Sequence, residues 1–168
     1  EAIAKKIGAK SEEIFFTASG TEANNTAILS ALKKRGSGNR VITTKIEHPS
    51  EQKTEKRLEE EGFEVIYVGV DKNGIVDLEE LKAVLNSKTV LVSVMYVNNE
   101  IGSVQPIAEI SKLVKEYSPY ALFHCDSVQA FGKTDFDVKK LGVDLLSASA
   151  HKIHGPKGVG VLFKAKGV

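Results

Sequence analysis

The chain has 168 residues, 23 basic and 22 acidic side chains, and a formal net charge of +1 at pH 7. So balanced a charge provides no field to attract nucleic acid or an anionic membrane, and no apolar run is long enough to cross a bilayer, so we expect neither as a partner. The length suits one domain with its own core, and the single cysteine, Cys125, excludes an internal disulfide and suits a reducing, cytoplasmic compartment.

Short apolar and β-branched runs alternate with longer segments of helical period, which is the pattern of a βαβ fold. Seven strands are predicted, at Ile14–Thr17, Val41–Thr44, Glu64–Val68, Thr89–Tyr96, Ala121–Cys125, Leu145–Ala148 and Val159–Phe163. Five helices are predicted, at Ala2–Ile7, Thr21–Lys34, Ser50–Glu61, Leu78–Leu85 and Ile107–Glu116. Because several strands are apolar at consecutive positions, we expect helices on both sheet faces. The prediction is an α/β fold with a mainly parallel seven-stranded sheet in a three-layer α/β/α arrangement.

Three local signals refine these elements. Asp77 and Glu80 have the spacing of a capping box at a helix start. Pro106 stands where the first turn of a helix lacks a partner for its N–H. The connection into the last strand has only about ten residues, fewer than a parallel crossover needs, so we expect that strand to run antiparallel.

The first candidate site segment follows the first strand. Ser19, Gly20 and Thr21 form a strand–glycine–helix turn, which points free N–H groups and the positive end of a helix dipole outward. A phosphate is a natural ligand for such a turn. The alternative is an ordinary helix N-cap, with Ser19 or Thr21 satisfying the first turn.

The second segment follows the strand that ends at Cys125. Asp126 stands at the edge of the core, where a carboxylate needs a partner, and a protonated heterocyclic nitrogen would be a good one. Gln129 would lie on the same side if a helical turn follows. The alternative is that Asp126 simply caps the next turn.

The third segment surrounds Lys152, which comes just past a strand end and is followed by a Gly/Pro turn. A partly desolvated lysine amine near another cation becomes nucleophilic, as Schiff-base chemistry requires. Ser149 and His151 are candidate donors to a phosphate. The alternative is a solvated lysine in a turn.

Two more candidates follow strand ends, His48 and Asn99, although a lone histidine is usually a satisfied side chain and paired asparagines usually form turns. The joint placement is more specific than any single segment. A phosphate turn, a histidine, an asparagine, an aspartate and a lysine would meet at one edge of the sheet. An enzyme that depends on pyridoxal 5'-phosphate (PLP) needs this set of groups.

These residues belong to motifs that resemble the cysteine desulfurases, among the class-V aminotransferase-like PLP enzymes of fold type I. The motifs are Phe-Thr-Ala-Ser-Gly-Thr-Glu at 16–22, Glu-His at 47–48, Asn-Asn-Glu-Ile-Gly at 98–102, Asp-Ser-Val-Gln at 126–129 and His-Lys-Ile-His-Gly-Pro-Lys-Gly at 151–158. The resemblance covers nearly the whole chain and is closer to the iron–sulfur assembly branch. It implies that residues 1–168 are the PLP-binding large domain, truncated at both ends and without the small C-terminal domain.

The resemblance also implies residue roles. Lys152 would bond to the cofactor aldehyde and move protons on the substrate. Asp126 would pair with the ring nitrogen, and His48 would stack on the ring and act in acid–base catalysis. The remaining cofactor contacts would come from Gln129 and Asn99 at the ring hydroxyl, and from Gly20, Thr21, Ser149 and His151 at the phosphate.

The implied reaction converts L-cysteine to L-alanine and leaves sulfur on an enzyme cysteine as a persulfide, for iron–sulfur clusters and other sulfur biosynthesis. The implied partners are a sulfur-acceptor or scaffold protein and a second identical subunit. The family's persulfide cysteine lies C-terminal to this stretch, so we expect Cys125 not to carry sulfur and the stretch alone to be inactive.

Two alternatives remain open. Another class-V PLP aminotransferase or a β-lyase would use nearly the same cofactor residues. A metal- or nucleotide-binding module is a reading of a different class. It has less support, because no Cys-x-x-Cys or His-Glu-x-x-His pair is present and no Gly-x-Gly-x-x-Gly follows a strand.

Overall fold

The computed structural model describes residues 1–33 and 38–168. In these residues one seven-stranded sheet is formed, in the order β1-β7-β6-β5-β4-β2-β3. Its strands are β1 (Ile14–Thr17), β2 (Arg40–Thr44), β3 (Glu64–Val68), β4 (Thr89–Met95), β5 (Leu122–Asp126), β6 (Leu145–Ser149) and β7 (Gly160–Lys164). The pairs β2–β3, β2–β4, β4–β5 and β5–β6 are parallel, and β7 runs antiparallel to both β6 and β1. The predicted mainly parallel sheet and the antiparallel last strand are confirmed.

The described helices cover both faces of the sheet. They are α1 (Ala2–Ile7), α2 (Gly20–Lys33), α3 (Pro49–Glu60), α4 (Leu78–Val84), α5 (Ile107–Tyr117) and α6 (Val138–Leu141), with short 3-10 helices at Ser11–Glu13 and Ala150–Ile153. The five predicted helices correspond to α1–α5. Lys34, the predicted end of the second, lies outside the described residues.

Two hydrophobic clusters lie between the sheet and the helices, one on each face of the sheet. On one face, Ile28 of α2 and Leu58 of α3 share a cluster with Leu91 of β4 and Leu145 of β6. On the other face, α1, α4, α5 and α6 pack in a larger cluster around strand residues such as Phe123, which is fully buried. The three-layer α/β/α arrangement is therefore confirmed.

One predicted cap forms only in part. The Asp77 side chain accepts hydrogen bonds from the N–H groups of Glu79 and Glu80, both at 3.0 Å, and so caps α4. The reciprocal bond of a capping box is absent, because the Glu80 carboxylate accepts from the Gly69 N–H at 2.7 Å instead. Pro106 lies at the N-cap of α5, one residue before the first turn.

The topology gathers the site loops at one edge. Since β7 is antiparallel to both β1 and β6, β1 runs in the same direction as β6 and as the other strands. The loops after β1, β2, β4, β5 and β6 therefore all leave the sheet at its carboxyl edge, where open α/β sheets bind their ligands. Over the same described residues, no helix has the length and apolar character needed to cross a membrane.

Candidate active site

A cavity with about 250 Å³ of solvent-accessible space opens at the carboxyl edge of the sheet. All nine residues that the sequence analysis selected line it: Gly20, Thr21, His48, Asn99, Asp126, Gln129, Ser149, His151 and Lys152. Their side chains come from five different loops or strand ends. The structure thus brings the selected residues together, while their individual roles remain predictions.

The turn after β1 presents free donors to this cavity. Ser19 Oγ accepts from the Glu22 N–H at 3.1 Å, and the Glu22 carboxylate accepts from the Ala18 N–H at 2.5 Å. The N–H groups of Gly20 and Thr21 make no hydrogen bond to any residue that the structure describes. Ser19 is therefore a helix cap, as the alternative reading held, and the two free N–H groups at the start of α2 stay available to an anion.

Close packing holds this turn in place. A Cβ on Gly20 would lie 2.9 Å from Val128 Cγ2 and 3.1 Å from Ser149 Cβ, so even an alanine there would require these side chains to shift. A Cβ on Gly160, at the start of β7, would overlap the backbone of Ser19. The turn is wedged between the chain segments that follow β5 and β6 and the one that enters β7.

Asp126 is the last residue of β5 and is only 5% exposed. Its Oδ1 accepts from the Val128 N–H at 2.8 Å, and its Oδ2 accepts from Asn24 Nδ2, also at 2.8 Å. Asp126 therefore caps the following turn, as the alternative reading held, and it also lines the cavity, while its pairing with a ring nitrogen stays a prediction. Its contact with Asn24 was not predicted.

His48 is exposed and forms the N-cap of α3. Its Nδ1 accepts from the Ser50 N–H at 3.1 Å and lies 2.8 Å from Ser50 Oγ. Because a backbone N–H can only donate, Nδ1 is the unprotonated nitrogen, and the neutral ring carries its proton on Nε2.

Lys152 is half-buried in the 3-10 helix Ala150–Ile153, directly after β6. The chain turns sharply behind it. His154, with φ 61°, is the one non-glycine residue with a positive φ within the described ranges. Gly155 packs so closely that an added Cβ would lie 2.9 Å from Ala150 Cβ. Beside the lysine, Ser149 Oγ and His151 Nδ1 are 2.8 Å apart, so these two polar groups are already oriented.

The two asparagines after β4, Asn98 and Asn99, differ in burial and in their contacts. Asn98 is buried, accepts from the N–H groups of Glu100 and Ile101, and donates to the Ile46 carbonyl, so it shapes the loop. Asn99 is exposed and lines the cavity. The turn-forming reading therefore applies to Asn98, not to Asn99.

A cluster of buried polar groups, which we call the floor (Glu47, Glu51, Ser93 and His124), lies next to Met95, a residue of the cavity lining. Glu47 accepts from Thr44 Oγ1 at 2.6 Å and from the Met95 N–H at 3.0 Å, and Glu51 accepts from Ser93 Oγ at 2.5 Å. Burial raises the pKa of both carboxyl groups well above the usual range, and repulsion adds to this, mainly from Glu55 on Glu47 and from Glu47 on Glu51. Burial thus favours the protonated form of both groups.

His124 completes this floor, with Nδ1 2.7 Å from Ser93 Oγ and Nε2 2.9 Å from Ser147 Oγ. Burial lowers the pKa of His124 to about 3. The 3.9 Å approach of His124 to Glu51 is therefore not an ion pair, because the His124 ring is neutral. Ser93 Oγ lies between the two groups and donates to Glu51.

The histidine, cysteine, aspartate and glutamate side chains of the described residues were also compared with the requirements of a metal site. Within residues 1–33 and 38–168, no group of three or more His, Cys, Asp or Glu side chains is arranged to hold a metal ion. Cys125 is fully buried, and burial, followed by the charge of Asp126, raises the pKa of its thiol. A protonated, buried thiol is a poor nucleophile.

The profile of one protein family, described as "Aminotransferase class-V", matches residues 1–167. The chain is 50% identical over 169 residues to the cysteine desulfurase IscS of Clostridium botulinum (strain Hall), covering 100% of this chain and 42% of that protein. A solved structure described as "NIFS-like protein" superimposes with a TM-score of 0.94 at 44% identity, over 99% of this chain and 46% of its own. Another, described as "SspA in complex with cysteine", gives a TM-score of 0.90 at 38% identity, over 96% and 46%. The chain thus spans less than half the length of these relatives.

Proposed function

This chain belongs to the class-V aminotransferase family, and on that basis we propose that it is the cofactor-binding part of a PLP-dependent cysteine desulfurase. The observation that carries the proposal is the meeting of Lys152, Asp126, His48 and the start of α2 in one cavity. Class-V aminotransferases and cysteine desulfurases generally depend on PLP. The relatives named as cysteine desulfurases support the choice of reaction.

The chemistry of the donor set fits PLP from end to end. The free N–H groups of Gly20 and Thr21, with Ser149 and His151, suit a phosphate. Asp126 suits a protonated ring nitrogen, and Lys152 suits an aldehyde. Asn99 and Gln129 offer amide groups for the ring hydroxyl. The buried Oδ1 of Asn24 has no hydrogen-bond partner in the described part of the chain, as expected where a polar ligand completes the site.

When bound, PLP supplies an electron sink that stabilises negative charge at the substrate Cα. Lys152 holds the cofactor through its amine and then moves a proton at the substrate. Asp126, kept in place by two hydrogen bonds, keeps the ring nitrogen protonated. His48 would stack on the ring, and its Nε2 would be the nitrogen left for acid–base catalysis, because Nδ1 is already engaged by Ser50.

The substrate in this proposal is L-cysteine, and the products are L-alanine and an enzyme-bound persulfide. Cys125 does not serve as the sulfur carrier, because its thiol is fully buried and its pKa is raised. It is the single cysteine of the sequence. The sulfur-carrying cysteine therefore comes from outside these 168 residues, and residues 1–168 alone do not turn over.

The proposed partners follow from the same reaction. Persulfide sulfur has to pass to an acceptor or scaffold protein, for iron–sulfur clusters and other sulfur compounds. We further propose a homodimer in the cytoplasm, where a protein with one buried, unpaired cysteine fits a reducing environment.

The test is cofactor binding and covalent capture. The purified protein is titrated with PLP, reduced with borohydride and digested, and the modified peptide is identified by mass spectrometry. We expect a visible absorption band and a modification at Lys152, both lost in Lys152→Ala. Lys157→Ala is the matched control, since Lys157 is exposed in the same loop and does not line the cavity. A modification on Lys157, or an unchanged band in Lys152→Ala, would refute the assignment.

A transaminase or another β-lyase would pass that test too. The reaction is therefore decided by the products that the protein with its complete C-terminal region forms from L-cysteine. Alanine with persulfide supports a desulfurase. A keto acid formed together with an aminated acceptor would support a transaminase.

A further inference from the structure

We propose that Asn24 is a positioning residue that holds Asp126 toward the cofactor ring nitrogen and, through Ser50, ties Asp126 to His48. This inference rests on the proposed function, because it gives Asn24 a task only if Asp126 and His48 act on a bound ring. It adds two residues, Asn24 and Ser50, that the sequence analysis did not select.

The hydrogen bonds form one continuous chain. Asn24 Nδ2 donates to Asp126 Oδ2 at 2.8 Å and to Ser50 Oγ at 3.2 Å. Ser50 Oγ lies 2.8 Å from His48 Nδ1, which also accepts from the Ser50 N–H. Both hydrogens of one amide nitrogen are thus used, one for Asp126 and one for Ser50, and all four residues line the cavity.

The chemistry of the partners determines which way the Asn24 amide faces. Were the amide reversed, its oxygen would face the Asp126 carboxylate, and two acceptors would meet without a hydrogen between them. The Ser50 hydroxyl, which accepts from Asn24, keeps its own hydrogen for His48 Nδ1. The chain therefore has one consistent direction of donation, from Asn24 through Ser50 to His48.

Asn24 is suited to this task by its position in the fold. It lies in the second turn of α2, on the face that packs against the sheet, and is only 1% exposed. Its Oδ1 is buried and has no partner among the described residues. Burying an amide with an unpaired oxygen is unfavourable, so a position that served packing alone would be better filled by an apolar side chain, as it is at Ala23, Ala27 and Ile28.

Two consequences follow. The Asp126 carboxylate has one oxygen held by Asn24 and the other by the Val128 N–H, so its plane is fixed before any ligand arrives. The Nδ1 atom of the His48 ring is contacted by both the N–H and the Oγ of Ser50. The groups that would contact the ring nitrogen and the ring face are thus preorganised as one unit, which lowers the cost of ordering them on binding.

The test compares two probes, PLP and its 1-deaza analogue, in which C–H replaces the ring nitrogen. If Asn24 acts through Asp126 on that nitrogen, Asn24→Ala should weaken PLP binding about tenfold or more, as expected for a hydrogen bond to a charged group. The same variant should change binding of the deaza analogue by less than about twofold. Binding is measured by equilibrium titration of the purified protein.

Asn25→Ala is the matched control. Asn25 is the next residue of the same helix and accepts from Thr54 Oγ1 at 2.6 Å, with no bond to Asp126. We expect this variant to bind both probes as the unsubstituted protein does. If Asn24→Ala weakens both probes equally, or if Asn25→Ala shows the same preference for one probe, the positioning role is refuted.

Should Asn24→Ala fold poorly, Asn24→Ser replaces it, since a serine hydroxyl can bond to the helix backbone but is too short to reach Asp126. A second measurement needs no cofactor. In a double-mutant cycle of Asn24→Ala and Asp126→Ala, the shift in the urea midpoint of the double variant should be smaller than the two single shifts combined. Additive shifts would refute the contact. Failure of the unsubstituted protein to bind either probe would refute the proposed function, while the cycle would still decide on the Asn24–Asp126 bond.

Discussion

Replacing one buried carboxyl, Glu55, should make the protein more stable at neutral pH. Glu55 lies on α3 and is 1% exposed. Its Oε1 accepts from Thr43 Oγ1 at 2.6 Å, and its Oε2 has no hydrogen-bond partner in the described residues. Burial raises the pKa of Glu55 from 4.5 to about 7, against the opposing effect of the Thr43 hydrogen bond. The folded protein therefore retains a proton that the unfolded chain releases.

The sign and size follow from proton linkage. Below pH 4.5 both states hold the proton, and the contribution of Glu55 to stability is fully present. Between pH 4.5 and about 7 the unfolded chain ionises and the folded protein does not, so the free energy of unfolding falls by about 1.4 kcal/mol per pH unit. The total loss is about 3 kcal/mol, and it levels off above pH 7.

Glu55→Gln removes this titration and keeps the size of the side chain. The assay is urea denaturation of both proteins at several pH values from 4.5 to 8. The difference, variant minus unsubstituted protein, should rise by about 3 kcal/mol across that range. Glu60→Gln, an exposed carboxyl on the same helix, is the control and should stay within about 0.5 kcal/mol. A difference for Glu55→Gln that stays flat with pH would refute the reasoning.

Three further predictions test the core, the floor and the turn. Phe123→Ala should lower the free energy of unfolding by about 3–5 kcal/mol in urea denaturation, whereas Phe16→Ala, 70% exposed, should cost less than about 1 kcal/mol. His124 stays neutral down to about pH 3 when folded but titrates near 6.5 when unfolded, so it contributes stability above pH 6.5 that is lost as the pH falls. His124→Asn should therefore reduce the loss of stability between pH 6.5 and 4.5 by about 3 kcal/mol, measured by the same assay. Gly160→Val should displace the Ser19 turn, weakening PLP binding in titrations about tenfold, and an unchanged affinity would show that the turn does not contact the cofactor.

The strands, and the edge of the sheet at which the site loops leave them, could be predicted from the sequence. The bounds of β1 and β3 match the predicted ranges, and the antiparallel last strand followed from the length of one connection. The short elements α6 and the 3-10 helix around Lys152 were not predicted, because four residues carry too little periodicity to stand out. That the nine selected residues share one cavity was a consequence of parallel topology, which the alternation of strands and helices already implied.

Asn24 could have been found from the helical period. It stands three and four residues before Ala27 and Ile28, both buried on the inner face of α2, so the period places it on that face too. A polar residue in an apolar stripe is a signal of a buried contact, but the partner on a distant strand cannot be named from sequence. The register of α2 against β5 supplies it.

The buried residues of α3 were harder to foresee. Glu51, Thr54, Glu55 and Leu58 have the spacing of one helix face, and three of the four are polar. Such a segment predicts a solvated helix, since carboxyl groups are seldom buried. Glu55 and Glu51 can be buried because the hydroxyls of Thr43 and Ser93, respectively, donate hydrogen bonds to them.

The sheet face beneath α2 and α3 explains why these polar residues are there. Reading each central strand at every second residue toward its carboxyl end, this face changes from apolar to polar and then to the cavity lining. The three successive layers are Leu91, Leu122 and Leu145, then Ser93, His124 and Ser147, then Met95, Asp126 and Ser149. The opposite face of the same strands stays apolar, with residues such as Val94 and Phe123.

The middle layer, Ser93, His124 and Ser147, stands between the apolar part of these strands and the layer of Asp126 that lines the cavity. The observed layer is hydrogen-bonded across three strands, from Ser93 through His124 to Ser147, and the low pKa of His124 keeps it uncharged. In the register of the sheet, Met95 and Ser147 both stand opposite Asp126. The Ser147 end of this hydrogen-bonded row therefore lies beside Asp126 on the neighbouring strand. Loss of that layer should therefore loosen the position of Asp126 before it unfolds the sheet, because the apolar layers on either side of the strands remain intact.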